Sequence, residues 1–152
     1  MYSKEEASKI RQQFWITFGK YLKLIPSAEG LAINWINYKT GVKNVFFRMN
    51  AEQHQAVIAI ELTHSDEEIR NEFIAQFKAL KLLFTAAVNE EWEWEENTTN
   101  EFGAPMSRIS KTLHGVSIYN QQNWPDLISF LKPRLIALDQ FWVEVKPLFE
   151  DL

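Results

Sequence analysis

Hydrophobic residues recur every three or four positions in three stretches of the chain, the spacing that is typical of helices. The first stretch lies between Ser3, which opens a capping-box pattern, and Pro26. It predicts a helix over about residues 4–24. The second stretch follows another capping box, opened by Ser65, and predicts one continuous helix that ends near Val88.

The third periodic stretch covers the C-terminal part of the chain. Asn123 and Pro125 are typical of a helix start, and the apolar series continues to Val145. Because proline lacks the amide that a helix interior needs, Pro133 should kink this helix or divide it in two. The apolar stripe is wider than one contact with a sheet requires. This width gives the hypothesis of a homodimer formed through the C-terminal helix.

Alternating apolar and polar residues predict the strands. Two of them, residues 44–49 and 56–62, are separated by a short polar break and should pair as an antiparallel hairpin. A third contains Trp92 and Trp94 between glutamates, which predicts one apolar face and one solvated face. Residues 97–105 are expected to form a loop, residues 106–113 and 116–119 further extended segments, and residues 31–38 a short irregular or helical segment.

This order of elements has too few strand–helix alternations for a doubly wound parallel sheet. It predicts an α+β fold with a mainly antiparallel sheet packed against helices and a long kinked C-terminal helix. The 152 residues suit a single domain spanning residues 1–152. Hydrophobic residues make up 46% of the chain, including 11 phenylalanines and 6 tryptophans, so a substantial aromatic core is expected.

Composition narrows the class of protein. The chain has no cysteine, which excludes disulfides and thiol chemistry and fits a cytoplasmic location. The charged N-terminus, with Lys4, Glu5 and Glu6, does not resemble a secretory signal, and no apolar run is long enough to span a bilayer. The net charge of −4 disfavours nucleic acid as a partner. Binding of nucleic acid through a local basic patch is the alternative that the composition leaves open.

Glu61 is the residue with the clearest catalytic interpretation, because it is a carboxylate inside a hydrophobic strand. A nuclease that binds metal through such a carboxylate needs the pattern Glu-x-Lys, and here the strand reads Glu61, Leu62, Thr63. The favoured interpretation is a strand-end carboxylate that either lies on a partly solvated face or pairs with Arg48. If the enzyme hypothesis were right, Glu61, Arg48, Arg108 and Lys111 should line one groove.

Other chemistry finds little support in the sequence. His54 and His64 lie beyond opposite ends of one predicted strand, so they cannot share a metal ion there, and His114 beside Gly115 is typical of a turn. No serine has the setting of a nucleophile and no glycine cluster could cradle a phosphate. We therefore predict no catalytic residue, no metal and no cofactor. The glutamates around Trp92 and Trp94 should form a solvated strand face, and the tryptophans should belong to the core.

Several motifs resemble an uncharacterised bacterial family, the domain of unknown function 4268. The most specific is Trp35-Ile36-Asn37-Tyr38-Lys39-Thr40-Gly41, and the others are Phe14-Trp15, Glu91-Trp92-Glu93-Trp94, Ser107-Arg108-Ile109 and Asn120-Gln121-Gln122-Asn123-Trp124-Pro125. The resemblance covers nearly the whole chain and implies no activity or catalytic residue. It does imply a context, since similar domains occur fused behind nuclease-like modules in restriction or DNA-processing systems. These 152 residues contain no such module, so a free accessory or regulatory subunit is expected.

Three functional hypotheses follow. The first is a non-enzymatic binding or interaction module, an accessory protein of a restriction or DNA-processing system. The alternative is a degenerate or unusual nuclease-like enzyme, and the third is a small-ligand site near Trp35 and Tyr38. The candidate binding residues under these hypotheses are Arg48, Glu61, Arg108, Lys111, Trp35 and Tyr38.

Overall fold

The computed structural model of the protein describes residues 2–152. Its elements in chain order are α1 (Lys4–Leu22), β1 (Val45–Ala51), β2 (Gln55–Leu62), α2 (Glu67–Ala79), α3 (Lys81–Val88), β3 (Glu93–Thr99), β4 (Pro105–His114), α4 (Trp124–Val145) and α5 (Pro147–Glu150), with a 3-10 turn at Gln121–Asn123. The predicted α+β fold is confirmed.

The four strands form one antiparallel sheet in the order β1-β2-β4-β3. The predicted hairpin of β1 and β2 is confirmed, with Val45 opposite Leu62 and Ala51 opposite Ala56. β4 follows β3 in the chain but lies between β3 and β2. As a result β1 and β3 are the two edges of the sheet.

The two faces of this sheet have different neighbours. One face, which we call the covered face, carries Ile58, Ile60 and Ile109 and joins the helices in a single core cluster. These three side chains are completely buried, and burial of each contributes about 1.5–3 kcal/mol. The other face, which we call the open face, carries Val57 and Ala59, and these lie outside that cluster.

The second helical region differs from its prediction in two ways. Its N-cap is Asp66 rather than Ser65, because the Asp66 carboxylate accepts hydrogen bonds from the backbone amides of Glu68 and Ile69. The region is also divided at Leu80, whose φ and ψ of −100° and 12° leave the helical range. The interpretation of one continuous helix to Val88 was therefore wrong, and α2 and α3 are separate helices.

The C-terminal region also differs in part. α4 continues through Pro133 without interruption, so division into two helices was wrong. The wide apolar stripe of α4 is used within the chain, since residues such as Leu131, Leu138 and Trp142 are buried in the core. The homodimer stays a prediction, but the covering of this stripe does not need a second copy.

In two segments the structure differs from the prediction made from the sequence. Residues 116–119 form no strand, because Val116 and Ile118 leave the sheet and turn into the core. β3 extends to Thr99 rather than stopping before Asn97, since a bulge between Glu95 and Thr98 lets pairing with β4 resume. Residues 31–38 form no regular element, in agreement with the irregular alternative.

Candidate functional site

One concave surface of the protein lies on the open face of the sheet. It is a groove of about 620 Å³ whose floor includes Val57, Ala59 and Met106. Phe102, at the tip of the β3–β4 connection, lines its rim and is 86% exposed. Alternation along the strands explains this composition, because the residues between the core positions of β2 must face the other way.

Three of the predicted site residues meet in this groove. Glu61 lies opposite Arg108 in the β2–β4 pairing and 3.5 Å from the Arg48 guanidinium, oxygen to nitrogen. Arg108 in turn donates two hydrogen bonds to one carboxylate oxygen of Glu95, at 2.7 and 3.2 Å. The predicted pairing of Glu61 with Arg48 is confirmed. Both arginines of the groove therefore have a glutamate partner.

The fourth predicted residue, Lys111, lies elsewhere. It pairs with the fully buried Ile58, so its side chain starts on the covered face, and its ammonium group donates to the Glu91 carbonyl at 3.2 Å. The expectation that all four residues line one groove was wrong for Lys111. The reason is parity, since Arg108 and Lys111 are three residues apart on one strand and must face opposite sides.

Trp35 and Tyr38 hold the irregular segment against the helices. Trp35 is 3% exposed and its indole N–H donates to the Ile25 carbonyl at 2.9 Å. The Tyr38 hydroxyl donates to the Asp139 carboxylate at 2.5 Å, and burial together with this carboxylate raises the pKa of Tyr38. A cavity of about 320 Å³ lies beside Tyr38 and Asp139.

Sequence reasoning missed Asp139 and a second polar contact on the covered side. Asp139 is 4% exposed and also accepts from the Ala28 amide at 2.7 Å. Glu90 accepts two hydrogen bonds from Arg134, at 2.7 and 2.8 Å. Burial would raise the pKa of Glu90, but these bonds and one from Trp92 lower it overall. No sequence signal distinguishes these two buried or paired carboxylates from single charged residues that are exposed to solvent.

The tryptophans and glutamates near β3 divide as predicted. Trp92 is buried and Trp94 half-buried, and both contact Phe84 edge-on with ring centroids 5.2 and 6.0 Å apart. Glu93 and Glu95 pair with Ser110 and Arg108 on the open face. This strand supplies packing on one side and acidic groups on the other.

His64 is the histidine with the least ordinary environment. It is buried, its ring lies 4.1 Å from Phe73 between centroids, and neither ring nitrogen has a hydrogen-bond partner among the described residues. Burial and the nearby Arg70 lower the pKa of His64 and outweigh an opposing effect of the Lys43 backbone. His54 and His114 lie at the other end of β2, as predicted for His54.

Within residues 2–152 no group of three histidine, aspartate or glutamate side chains is arranged to hold a metal ion. Over the same residues, no helix has both the length and the apolar character that crossing a bilayer requires. The open face carries the groove with its paired charges, and its residues Val57 and Ala59 lie outside the core cluster that the helices share with the sheet.

The fold and this surface define the class of protein, an α+β protein with a four-stranded antiparallel sheet covered by helices on one face. The sequence model of the family described as Domain of unknown function (DUF4268) matches residues 10–146. The chain belongs to this family, which confirms the resemblance noted from its motifs. Searches among curated proteins and among solved structures found no significant match.

Proposed function

We propose that this protein is a non-enzymatic interaction module that binds a partner protein over the open face of its sheet. The observation that carries the proposal is the groove on that face, with an apolar floor and ion-paired arginines. Val57 is a half-buried apolar residue of the floor, and the exposed Phe102 at the rim is the kind of aromatic side chain that anchors protein interfaces.

The charges of the groove favour a protein partner over nucleic acid. Phosphate binding depends on cationic side chains that are free to approach the backbone of the nucleic acid. Arg48 and Arg108 each have a glutamate beside them, and the groove is further lined by Glu52 and Glu101. The complementary partner is therefore a protein surface that carries apolar and basic residues.

The family context supports a more specific form of this proposal. We place the module in a restriction or DNA-processing system, where its partner is a nuclease-like protein that the family resemblance implies. The role of the module in that assembly is accessory or regulatory. This part rests on the resemblance alone, whereas the binding surface rests on the groove.

Site-specific photo-crosslinking in the native host tests the proposal. A photoreactive residue at Gln55, which lines the groove, should capture a partner that the same residue at Glu67, exposed at the start of α2, does not capture. With the purified partner, Val57→Lys should weaken binding about tenfold or more, because it places a charge on the apolar floor. Glu67→Lys is the matched control. Equal capture from both positions, or equal affinities of both variants, would reject the open face as the binding surface.

A second candidate function, the nuclease-like enzyme, keeps one observation in its favour. Glu61, Arg48 and Arg108 share one groove, although that hypothesis also required Lys111, which starts on the covered face. Incubation with DNA and RNA in Mg²⁺ or Mn²⁺ tests it. Metal-dependent cleavage by the wild type that is lost in Glu61→Gln would replace the binding-module proposal, and no cleavage together with no salt-sensitive binding would exclude the enzyme.

A further inference from the structure

β1 ends the sheet with backbone groups that the fold leaves unused. Thr63 donates to the Asn44 carbonyl and Glu52 donates to the Gln55 carbonyl, so the hydrogen-bonded pairs of the β1–β2 ladder include positions 44 and 52. Pairs alternate along an antiparallel ladder, so positions 46, 48 and 50 bond to β2. The amides and carbonyls of the odd-numbered residues of β1 must then point away from β2.

Only the first of these outward positions is occupied. Val45 donates to the Val42 carbonyl at 3.2 Å and accepts from the Thr40 hydroxyl at 2.7 Å. For Phe47 and Met49, no other described residue gives or takes a backbone hydrogen bond at this edge. A row of free donors and acceptors on an edge strand is a template for one more strand.

The other edge of the sheet is different. β3 is interrupted by the bulge between Glu95 and Thr98, where Asn97 has a positive φ of 49° and its amide donates to the Ser107 hydroxyl. Bulges and charged side chains are the usual means by which proteins block an edge. β1 lacks such a bulge over its seven residues, so its edge stays regular.

A groove of about 690 Å³ runs along the β1 edge between residues 45–49 and the segment 36–44. Two hydrogen bonds tie the segment to α4: the Trp142 indole donates to the Thr40 carbonyl at 2.8 Å, and the Tyr38 hydroxyl donates to the Asp139 carboxylate at 2.5 Å. Gly41 turns the chain with a φ of 78°. The family motif that contains Trp35 and Tyr38 thus builds one wall of this groove.

The charges of the edge groove are all of one sign. Lys39, Lys43 and Arg48 line it, and none of its lining residues is acidic. Lys39 and Lys43 are exposed and form no ion pair among the described residues, whereas Arg48 is near Glu61. The groove therefore differs from the open face, where glutamates lie beside both arginines.

We propose that the β1 edge binds an extended acidic segment of another protein, which adds a fifth strand beside β1. Main-chain hydrogen bonds to Phe47 and Met49 would hold the segment, and Lys39 and Lys43 would select its carboxylates. The edge groove and the open-face groove share Arg48 and Met49, but their proposed partners differ in charge, and the two proposals can fail independently.

A peptide that alternates glutamate and valine, with fluorescein attached, tests the proposal against a peptide that alternates lysine and valine. The acidic peptide should bind and the basic peptide should not, and added salt should weaken binding. Amide hydrogen exchange at Phe47 and Met49 should slow when the acidic peptide is present. Equal binding of both peptides, or no binding of either, would overturn the proposal.

Met49→Pro removes one outward amide without breaking a bond to β2, because proline is tolerated at an edge strand's free positions. It should weaken binding of the acidic peptide about tenfold, while Met49→Ala keeps the amide and the affinity. The exposed pair Lys39→Glu and Lys43→Glu gives the same loss without altering the strand. Unchanged affinity in the lysine double variant would overturn the proposal. So would concentration-dependent self-association abolished by Met49→Pro, which would identify a second copy as the occupant.

Discussion

The covered and open faces are built from the same strands but use their residues for different purposes. On the covered face, Ile58, Ile60 and Leu62 of β2 are completely buried against aromatic side chains of the helices. On the open face, Ala59 and Glu61 lie between them in sequence but line a groove. The difference teaches that the aromatic richness of the chain serves packing, and that residues available for binding are those which alternation turns away from the core.

The largest effect should come from truncating the covered face. Ile60→Ala leaves a cavity in a fully buried position and should lower the free energy of unfolding by about 2–5 kcal/mol. Val57→Ala, on the half-buried open face of the same strand, should cost about 1 kcal/mol or less. Urea unfolding of both variants measures the contrast. Equal losses would mean that the two faces are equally covered.

A buried carboxylate should matter nearly as much. Asp139→Ala removes the acceptor for both the Ala28 amide and the Tyr38 hydroxyl, and leaving these groups unpaired should cost about 2–4 kcal/mol. Tyr38→Phe removes only one donor and should cost less. Thermal unfolding of both variants checks the order. A loss below about 0.5 kcal/mol for Asp139→Ala would contradict a role of this contact in anchoring residues 28–38.

Local sequence patterns predicted most of the helices and strands. Helical periodicity located α1 and α4, and alternation located β1 and β2, because each pattern depends on neighbours within a few residues. The division at Leu80 was missed because the apolar series continues across it. The cap at Asp66 was missed because Ser65 beside it offered an equally good capping box.

The candidate site depended on information that no local pattern contains. The pairing of Glu61 with Arg108 requires β4 to lie beside β2, and strand order is decided by the packing of the whole chain. Successive residues of a strand face opposite sides, so Lys111, three positions after Arg108, had to face the other side of the sheet. This argument was available from the sequence, because residues 106–113 were predicted to be extended. Asp139 gave no signal, because one aspartate in a leucine-rich helix is equally typical of a solvated position.

A smaller effect is expected from protonation of His64, which should make the free energy of unfolding depend on pH. Because its pKa is lowered in the folded protein, the unfolded chain binds a proton more readily as the pH falls below about 6.5. Stability contributed by the neutral ring is complete above that pH and is lost as the pH falls toward the lowered pKa. The free energy of unfolding should therefore decrease on acidification, with a slope of at most about 1.4 kcal/mol per pH unit.

His64→Phe separates this contribution from that of the carboxylates, because it keeps a ring against Phe73 but cannot take up a proton. The difference between the urea-unfolding stabilities of wild type and variant should change between about pH 7 and pH 5. A constant difference over this range would show that His64 is protonated as easily in the folded protein as in the unfolded chain.

The smallest effect should be on the open face. The Arg48 side chain is 55% exposed and the Glu61 side chain 22%, and their charged groups are 3.5 Å apart, so solvent screens the pair. We expect Glu61→Gln and Arg48→Gln each to change the free energy of unfolding by about 0.5 kcal/mol or less, with a similarly small coupling in the double variant. A coupling energy above about 1 kcal/mol would show that this ion pair stabilises the sheet. A weak coupling leaves these charges free to rearrange, which is the property that a binding surface needs when a partner replaces one member of an ion pair.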